Sequence, residues 1–131
     1  MTQPDHASHI VHAWMNGLNA RRLDEVLALY ADDAVLLPTF APLGLRTPVA
    51  RRGYFERLAA RPGLAVTLHD KTLQVQRTAG TMAIASGIYR FQLELDAELL
   101  VFEARFSFVI DGALAQPVLH HHSSQIPRTL S

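Results

Sequence analysis

Two neighbouring segments in which polar and apolar residues alternate constrain the fold of this chain most strongly. In residues 81–95, aromatic and aliphatic side chains alternate with Arg90, Gln92 and Glu94, and residues 99–110 alternate in the same way. A period of two is typical of strands with one buried and one polar face. The sequence therefore predicts a long antiparallel hairpin whose two polar faces coincide.

The register of this hairpin decides which charged residues meet. A two-residue loop that pairs Asp96 with Leu99 is the expected turn, and it sets Arg90 directly opposite Arg105. Guanidinium groups that face each other across a strand pair repel. Two solutions stay open: a ladder of ion pairs with carboxylates such as Glu103, or a small anion held between the arginines in a partly dry pocket.

Three helices are predicted before the sheet. Apolar residues recur at helical spacing in residues 5–19 and again in residues 23–31. Thr47 is a suitable N-cap for a third helix that has Pro48 at its first position and ends near residue 62. Asp32 and Asp33 follow the second helix and are expected to form a turn rather than an acid-base pair.

The rest of the chain is predicted to be sheet. A strand is expected over residues 64–77, before the hairpin, and a last strand over residues 114–124. Pro117 cannot donate a hydrogen bond to a ladder, so a bulge or an edge position is expected there. The predicted fold class is α+β, with three N-terminal helices packed on one side of a strongly curved antiparallel sheet.

The last strand contains the run His120, His121, His122 and Ser123. Neighbouring strand residues point to opposite faces, so His121 and Ser123 share one face and the other two histidines share the second. Two ligands are too few for a metal site, and the histidines of the first helix are expected to lie along its solvated edge. No metal and no cofactor is predicted.

Composition limits the class of partner. The chain has 131 residues, of which 49% are apolar, and this fits one domain over residues 1–131 with a short polar tail from about residue 125. Lys and Arg balance Asp and Glu at 12 each, so neither nucleic acid nor a membrane is an expected partner. The chain contains no apolar stretch of about 18 residues and no signal-peptide pattern, which favours a cytoplasmic location, whereas the absence of cysteine leaves the redox compartment open.

Several short segments, taken in order, resemble one family. They are Trp14 in the first helix, residues 29–38, the sequence Tyr-Phe-Glu at residues 54–56, and residues 120–124 with Pro127. Their order and spacing are similar to those of the association domain of calcium/calmodulin-dependent protein kinase II and its free-standing bacterial relatives, within the nuclear-transport-factor-two-like or SnoaL-like superfamily. The resemblance implies a cone of three helices over a strongly curved sheet.

The same resemblance implies a site and a way of assembling. In the kinase, this domain assembles subunits into a ring, and each subunit has a deep arginine-lined pocket. Two of the pocket arginines fall on Arg90 and Arg105, a pocket tyrosine falls on Tyr54, and the third arginine falls on Ser123. The chain itself contains no kinase motif. The expected ligand-binding residues are therefore Arg90, Arg105, Tyr54, His121, Ser123 and Glu103.

Two functions remain open from the sequence. The first is a binding module that forms a homodimer or a larger oligomer through the outer sheet face and holds a small carboxylate in each cone. The second is a small cofactor-free enzyme, because the superfamily also includes ketosteroid isomerase and polyketide cyclases, which carry an acid-base residue in the cone. The candidates for that role are Glu94, Glu103, Tyr54 and His121.

Overall fold

The computed structural model describes residues 6–130, which form three α-helices and one six-stranded sheet. The sheet order is β1-β6-β5-β4-β2, and β3 also pairs with β4. This arrangement confirms the predicted α+β class. Asp5, where the first helix was predicted to begin, and Ser131, where the predicted tail ends, lie outside the described residues. The elements are α1 (His6–Asn19), α2 (Leu23–Leu27), β1 (Tyr30–Leu37), α3 (Pro48–Ala59), β2 (Ala65–Leu68), a 3-10 helix (Asp70–Thr72), β3 (Gln74–Arg77), β4 (Met82–Leu95), β5 (Glu98–Asp111) and β6 (Val118–Gln125).

Aromatic rings fill the space between the helices and the sheet. The apolar stripe of α1 places Trp14 against the inner face of β4 and β5, where its ring stacks on Tyr89 with the centroids 5.2 Å apart. Phe91 and Phe108 meet the indole edge-on at 6.4 and 5.9 Å. The apolar faces of the two long strands therefore face the helices, and their polar faces form the outer side of the sheet.

The second helix is shorter than the sequence predicts, and the turn predicted at Asp32 and Asp33 is wrong. Helix α2 ends at Leu27, and both aspartates lie within strand β1. Strand β1 pairs in parallel with β6, with Val35 opposite His120 and a shift of register before it. The sheet is thus antiparallel except for this pair, and the parallel neighbour comes from the other end of the chain.

The strand predicted over residues 64–77 is interrupted. Strand β2 pairs with one half of β4 and β3 with the other half, and the 3-10 helix lies between them. The hydroxyl of Thr72 accepts the backbone N–H of Ile88 at 2.9 Å, so a side chain replaces the missing ladder bond.

The predicted register of the long hairpin is also wrong. Its loop is formed by Asp96 and Ala97, which both have positive φ values, 52° and 63°. Moving a two-residue loop by one position leaves the faces unchanged but shifts every cross-strand partner by two residues. Arg90 therefore lies opposite Glu103, and Arg105 lies opposite Ile88.

The ion-pair alternative holds for Arg90. Its Nε lies 2.8 Å from one carboxylate oxygen of Glu103, and Nε2 of His69 lies 2.7 Å from the other oxygen. These half-exposed side chains connect β4, β5 and the residue that follows β2 on the outer face. Because Arg90 and then His69 bind its charged form, the pKa of Glu103 is lowered.

Two local predictions are confirmed. The hydroxyl of Thr47 accepts the backbone N–H of Ala50 at 3.1 Å, and Pro48 begins α3. After Pro117, the pairing of β6 with β5 shifts in register between Val109 and Ile110 of β5. This shift is the expected bulge.

Within residues 6–130, no helix has the length and apolar character needed to cross a membrane.

Arg51 is a buried charge that holds α3 against β1. Only 2% of its surface is exposed, and its guanidinium donates to the carbonyl oxygens of Ala34, Ala31 and Asp32 at 2.8, 2.9 and 3.2 Å. It also lies 5.6 Å from the ring centre of Tyr30. The carbonyls of β1 that the parallel pairing leaves free are therefore satisfied by a side chain from a helix.

Replacing Arg51 should destabilise the fold. Arg51→Ala leaves three carbonyl groups without their charged donor, and we expect it to lower the free energy of unfolding by about 3 kcal/mol. Urea denaturation followed by circular dichroism measures the change. Arg52→Ala is the matched control, because Arg52 lies next in α3 with its charge in solvent, and it should leave the transition midpoint nearly unchanged. Equal midpoints for the two variants would contradict the role of Arg51.

The carboxylate of Glu103 should contribute stability that depends on pH. Its folded-state pKa is lowered, so the contribution is complete above the unfolded pKa of about 4.3 and is lost as the pH falls through the folded value. Glu103→Gln should cost less than about 1 kcal/mol at pH 7, because solvent screens the partners. The difference from the parent chain should vanish in urea denaturation at acidic pH. Glu94→Gln is the control. If the Glu103 variant and the parent chain still differed in stability at low pH, the difference would not come from the charge of the Glu103 carboxylate.

Candidate functional site

A pocket of about 380 Å³ opens at the mouth of the cone, beside the last turn of α3. Its walls come from the segment after β1, from α3, and from the ends of β4 and β6, and we call it the mouth pocket. It is lined by Thr39, Phe40, Ala41, Tyr54, Arg57, Leu58, Arg61, Leu93, Leu95 and Gln125. Its apolar side chains belong to the edge of the core, and its polar side chains face one another across the opening.

Two arginines at the C-terminal end of α3 supply the positive charge of the mouth pocket. Arg57 lies in the last turn of α3 and Arg61 just after the helix, and both line the pocket together with Tyr54. Both arginines are exposed, and neither forms a side-chain hydrogen bond or an ion pair with another residue in the described range 6–130. No Asp, Glu or His lines the pocket. Its electrostatic character is therefore cationic.

Tyr54 provides a neutral donor between the two arginines and the interior. Its hydroxyl accepts the backbone N–H of Phe40 at 3.3 Å, which leaves its own proton for an acceptor in the pocket. Burial raises the pKa of Tyr54 to about 12, so the phenol stays protonated at neutral pH.

Behind Tyr54 the cone is almost full. A second cavity of about 10 Å³ shares Thr39, Tyr54 and Leu58 with the mouth pocket and ends against Trp14 and His121. That volume holds about one water molecule. A ligand larger than water therefore has room at the mouth of the cone, not in its interior.

His121 lies at the inner end of this cavity, between two tyrosines. Its Nδ1 is 2.7 Å from the hydroxyl of Tyr30, its Nε2 is 3.1 Å from the hydroxyl of Tyr89, and its ring stacks on Phe108 at 3.8 Å. Burial, and to a smaller extent the neighbouring histidines, holds the pKa of His121 well below its ordinary value. A neutral imidazole donates at one nitrogen and accepts at the other, so one tyrosine donates to it and the other accepts from it.

A pair of hydroxyls separates the histidine from the mouth pocket. The Oγ atoms of Thr39 and Ser123 are 2.5 Å apart, and Ser123 is buried. Burial raises the pKa of Tyr89, and hydrogen bonding with these two hydroxyls offsets part of that rise. Hydrogen bonds thus hold His121 between its two tyrosines and Thr39 against Ser123 in defined positions.

The six predicted ligand-binding residues do not form one site. Tyr54, His121 and Ser123 line the inner cavity, and of these only Tyr54 also lines the mouth pocket. Arg90, Arg105 and Glu103 lie on the outer side of the sheet, away from the helices.

Sequence reasoning missed Arg57 and Arg61, which supply the charge of the mouth pocket. The available signal was their spacing from Tyr54, since residues 54, 57, 58 and 61 lie on one face of the helix predicted from the sequence.

In residues 6–130, no three His, Cys, Asp or Glu side chains are grouped so that they could hold a metal ion.

Comparison with known proteins places the chain in a family. The family model described as a SnoaL-like domain matches residues 11–108. A search of curated proteins finds no significant match.

Solved structures share the fold over nearly the whole chain. A provisionally assigned calcium/calmodulin-dependent protein kinase II association domain from Xanthomonas campestris is 23% identical, with 98% of this chain and 91% of that chain covered and a TM-score of 0.84. An NTF2-like protein with a cystatin-like fold from Novosphingobium aromaticivorans is 9% identical, with coverage of 96% and 83% and a TM-score of 0.77.

A ketosteroid isomerase-like protein from Erwinia carotovora atroseptica is 13% identical, with coverage of 97% and 100% and a TM-score of 0.76. Because these sequence identities are low, the likeness to the three solved structures shows a shared fold and nothing more. The family match covers most of the chain and agrees with the cone of helices over a curved sheet. The chain belongs to the family of SnoaL-like domains.

Proposed function

We propose that this protein is a self-associating binding module whose mouth pocket takes a small molecule that carries a carboxylate. One observation carries the proposal: Arg57 and Arg61 line a pocket with apolar walls, and no carboxylate lines it with them. A guanidinium group binds a carboxylate through two parallel hydrogen bonds, and this geometry favours Arg over Lys. The ligand's carboxylate lies between the two arginines.

The walls of the mouth pocket define the rest of the ligand. Phe40, Leu93 and Leu95 offer apolar surface beyond the arginines, and Tyr54 and Gln125 offer hydrogen bonds. A volume of about 380 Å³ suits a small organic acid and is at the lower end of the range for ligand pockets. The ligand is therefore a carboxylic acid with a short aromatic or aliphatic body and an acceptor that reaches Tyr54.

The self-association part of the proposal rests on the end of the long hairpin. Leu99 and Val101 lie on the outer side of β5 with 54% and 53% of their surfaces exposed. Exposed apolar side chains close together on a sheet face are typical of protein contacts. The relative from Xanthomonas campestris is itself assigned to association domains, which supports this reading.

A small cofactor-free enzyme is the second candidate, and His121 is the observation that favours it. A buried neutral imidazole between two phenols is a suitable proton-transfer group. The mouth pocket, however, contains no carboxylate and no imidazole, and the cavity beside His121 holds about one water molecule. A binding role accounts for both features without a rearrangement of the core.

Carboxylates should bind at the mouth pocket. Titration with phenylacetate, monitored by ¹H–¹⁵N NMR, should shift amide signals in the last turn of α3 and at the ends of β4 and β6. Phenylacetamide, which has the same shape and no charge, should bind much more weakly. Arg57→Ala and Arg61→Ala should each weaken phenylacetate binding about tenfold, equivalent to about 1.4 kcal/mol.

Arg52→Ala is the matched control for this titration. Arg52 lies on the same helix outside the mouth pocket and pairs with Asp24, so phenylacetate affinity should be unchanged. Equal binding of the acid and the amide, or an equal loss in the Arg52 variant, would refute the carboxylate site.

Self-association should depend on the end of the hairpin. Light scattering at micromolar concentration should give at least a dimer for the parent chain, and a doubly substituted Leu99→Lys, Val101→Lys chain should be monomeric, because the added charges would be buried at the contact. Leu114→Lys is the control, since Leu114 is exposed in the loop before β6 and should not affect assembly. A monomeric parent chain would refute this part of the proposal.

A further inference from the structure

The outer side of the sheet has a groove of about 460 Å³ where the strand beside β4 is interrupted. The 3-10 helix crosses this break and packs over Gly87, at which an added Cβ would lie 3.0 Å from the Thr72 hydroxyl oxygen. We call this groove of about 460 Å³ the outer groove. Its polar side chains include Gln74, Ser86, Arg105, Ser107, His122 and Ser124. It shares no lining residue with the mouth pocket.

The strand register brings these side chains together. Ser86 of β4 and His122 of β6 both lie directly opposite Ser107 of β5, so the three form one row across the sheet. In the next row of the same face, Arg105 lies opposite Ser124. A guanidinium, an imidazole and three hydroxyls from three strands therefore border one groove.

The charge of the outer groove is not neutralised. No Asp or Glu lines it, and the guanidinium of Arg105 has no ion-pair or hydrogen-bond partner within residues 6–130. Arg90, on the same face of the neighbouring strand, is held by Glu103 at 2.8 Å. Arg90 and Arg105 occupy similar positions in the alternating pattern of the sequence, but they differ in charge pairing, because only Arg90 has a carboxylate directly opposite it.

We propose that the outer groove is a second anion site, which binds the phosphate group of a small phosphorylated molecule. A carboxylate presents two oxygens in one plane, whereas a phosphate presents three oxygens in different directions. Arg105, His122 and the hydroxyls of Ser107 and Ser124 approach from two strands in two rows, which suits three oxygens better than two.

The size of the groove favours a phosphorylated molecule over free phosphate. A volume of about 460 Å³ lies within the range of pockets that enclose organic ligands. Gln74 and Ser86, at the end of the groove away from β6, offer hydrogen bonds to a polar body. Leu99 and Val101 lie four to six residues along β5 from Arg105, about 13 to 20 Å away, so the hairpin contact and the groove occupy different parts of the outer face.

The test is a titration of the full chain with inorganic phosphate and, separately, with ribose 5-phosphate, monitored by ¹H–¹⁵N NMR. Both should give saturable shifts in amides of residues 84–88, 105–107 and 122–124, and ribose 5-phosphate should bind at least as tightly as phosphate. Arg105→Gln should weaken both about tenfold or more, because it removes a charged donor. His122→Gln, which keeps a neutral polar side chain, is the second variant and should also weaken both.

Arg46→Gln is the control, since Arg46 is exposed in the loop before α3 and should leave both affinities unchanged. Sodium chloride at equal ionic strength controls for screening. Absence of saturable shifts, or shifts centred on α3, would overturn the site. Binding of inorganic phosphate with no binding of ribose 5-phosphate would overturn the proposed ligand class. The outcome does not depend on the phenylacetate titration, which reports on the other side of the sheet.

Discussion

The packing of Trp14 against the inner face of the sheet is the constraint on which the rest of this structure depends. Its indole is stacked on Tyr89 and touched edge-on by Phe91, Phe108 and His121. Aromatic rings bury large areas and hold one another in defined orientations, so this cluster determines how α1 lies across the strands. It also occupies the volume in which a cone-shaped domain could otherwise enclose a ligand. The mouth pocket and the outer groove lie beyond this aromatic cluster, at the mouth of the cone and on the outer face of the sheet.

Local sequence patterns predicted most of the helices and strands, and they failed where pairing between distant segments determines the structure. The alternation of β4 and β5 and the capping of α3 are properties of neighbouring residues, and both were predictable. Strand β1 was not, because its parallel partner β6 lies more than 80 residues away and nothing near Asp32 indicates that pairing. The hairpin register failed because a loop at Asp96 and Ala97 requires positive φ at both positions, which an Ala residue does not signal.

The candidate site was predictable only in part, for a related reason. Strand parity placed His121 and Ser123 on one face, the family resemblance added Tyr54, and all three line the inner cavity. Arg57 and Arg61 were not singled out, because exposed arginines on a helix are usually solvated. Only the tertiary structure shows that the turn containing them closes against the ends of β4 and β6.

The arginines of this chain illustrate how surroundings assign a role to a residue type. Arg51 is buried among carbonyl oxygens, and Arg90 is held by a carboxylate directly opposite it, so both stabilise the fold. Arg57, Arg61 and Arg105 border cavities that contain no carboxylate, so their charge is available to an anion. The two cavities lie on opposite sides of one sheet, and alternation along a strand keeps the side chains of those sides apart. A sheet of this kind can therefore carry two anion sites of different chemistry, each changed by substitutions that leave the other intact.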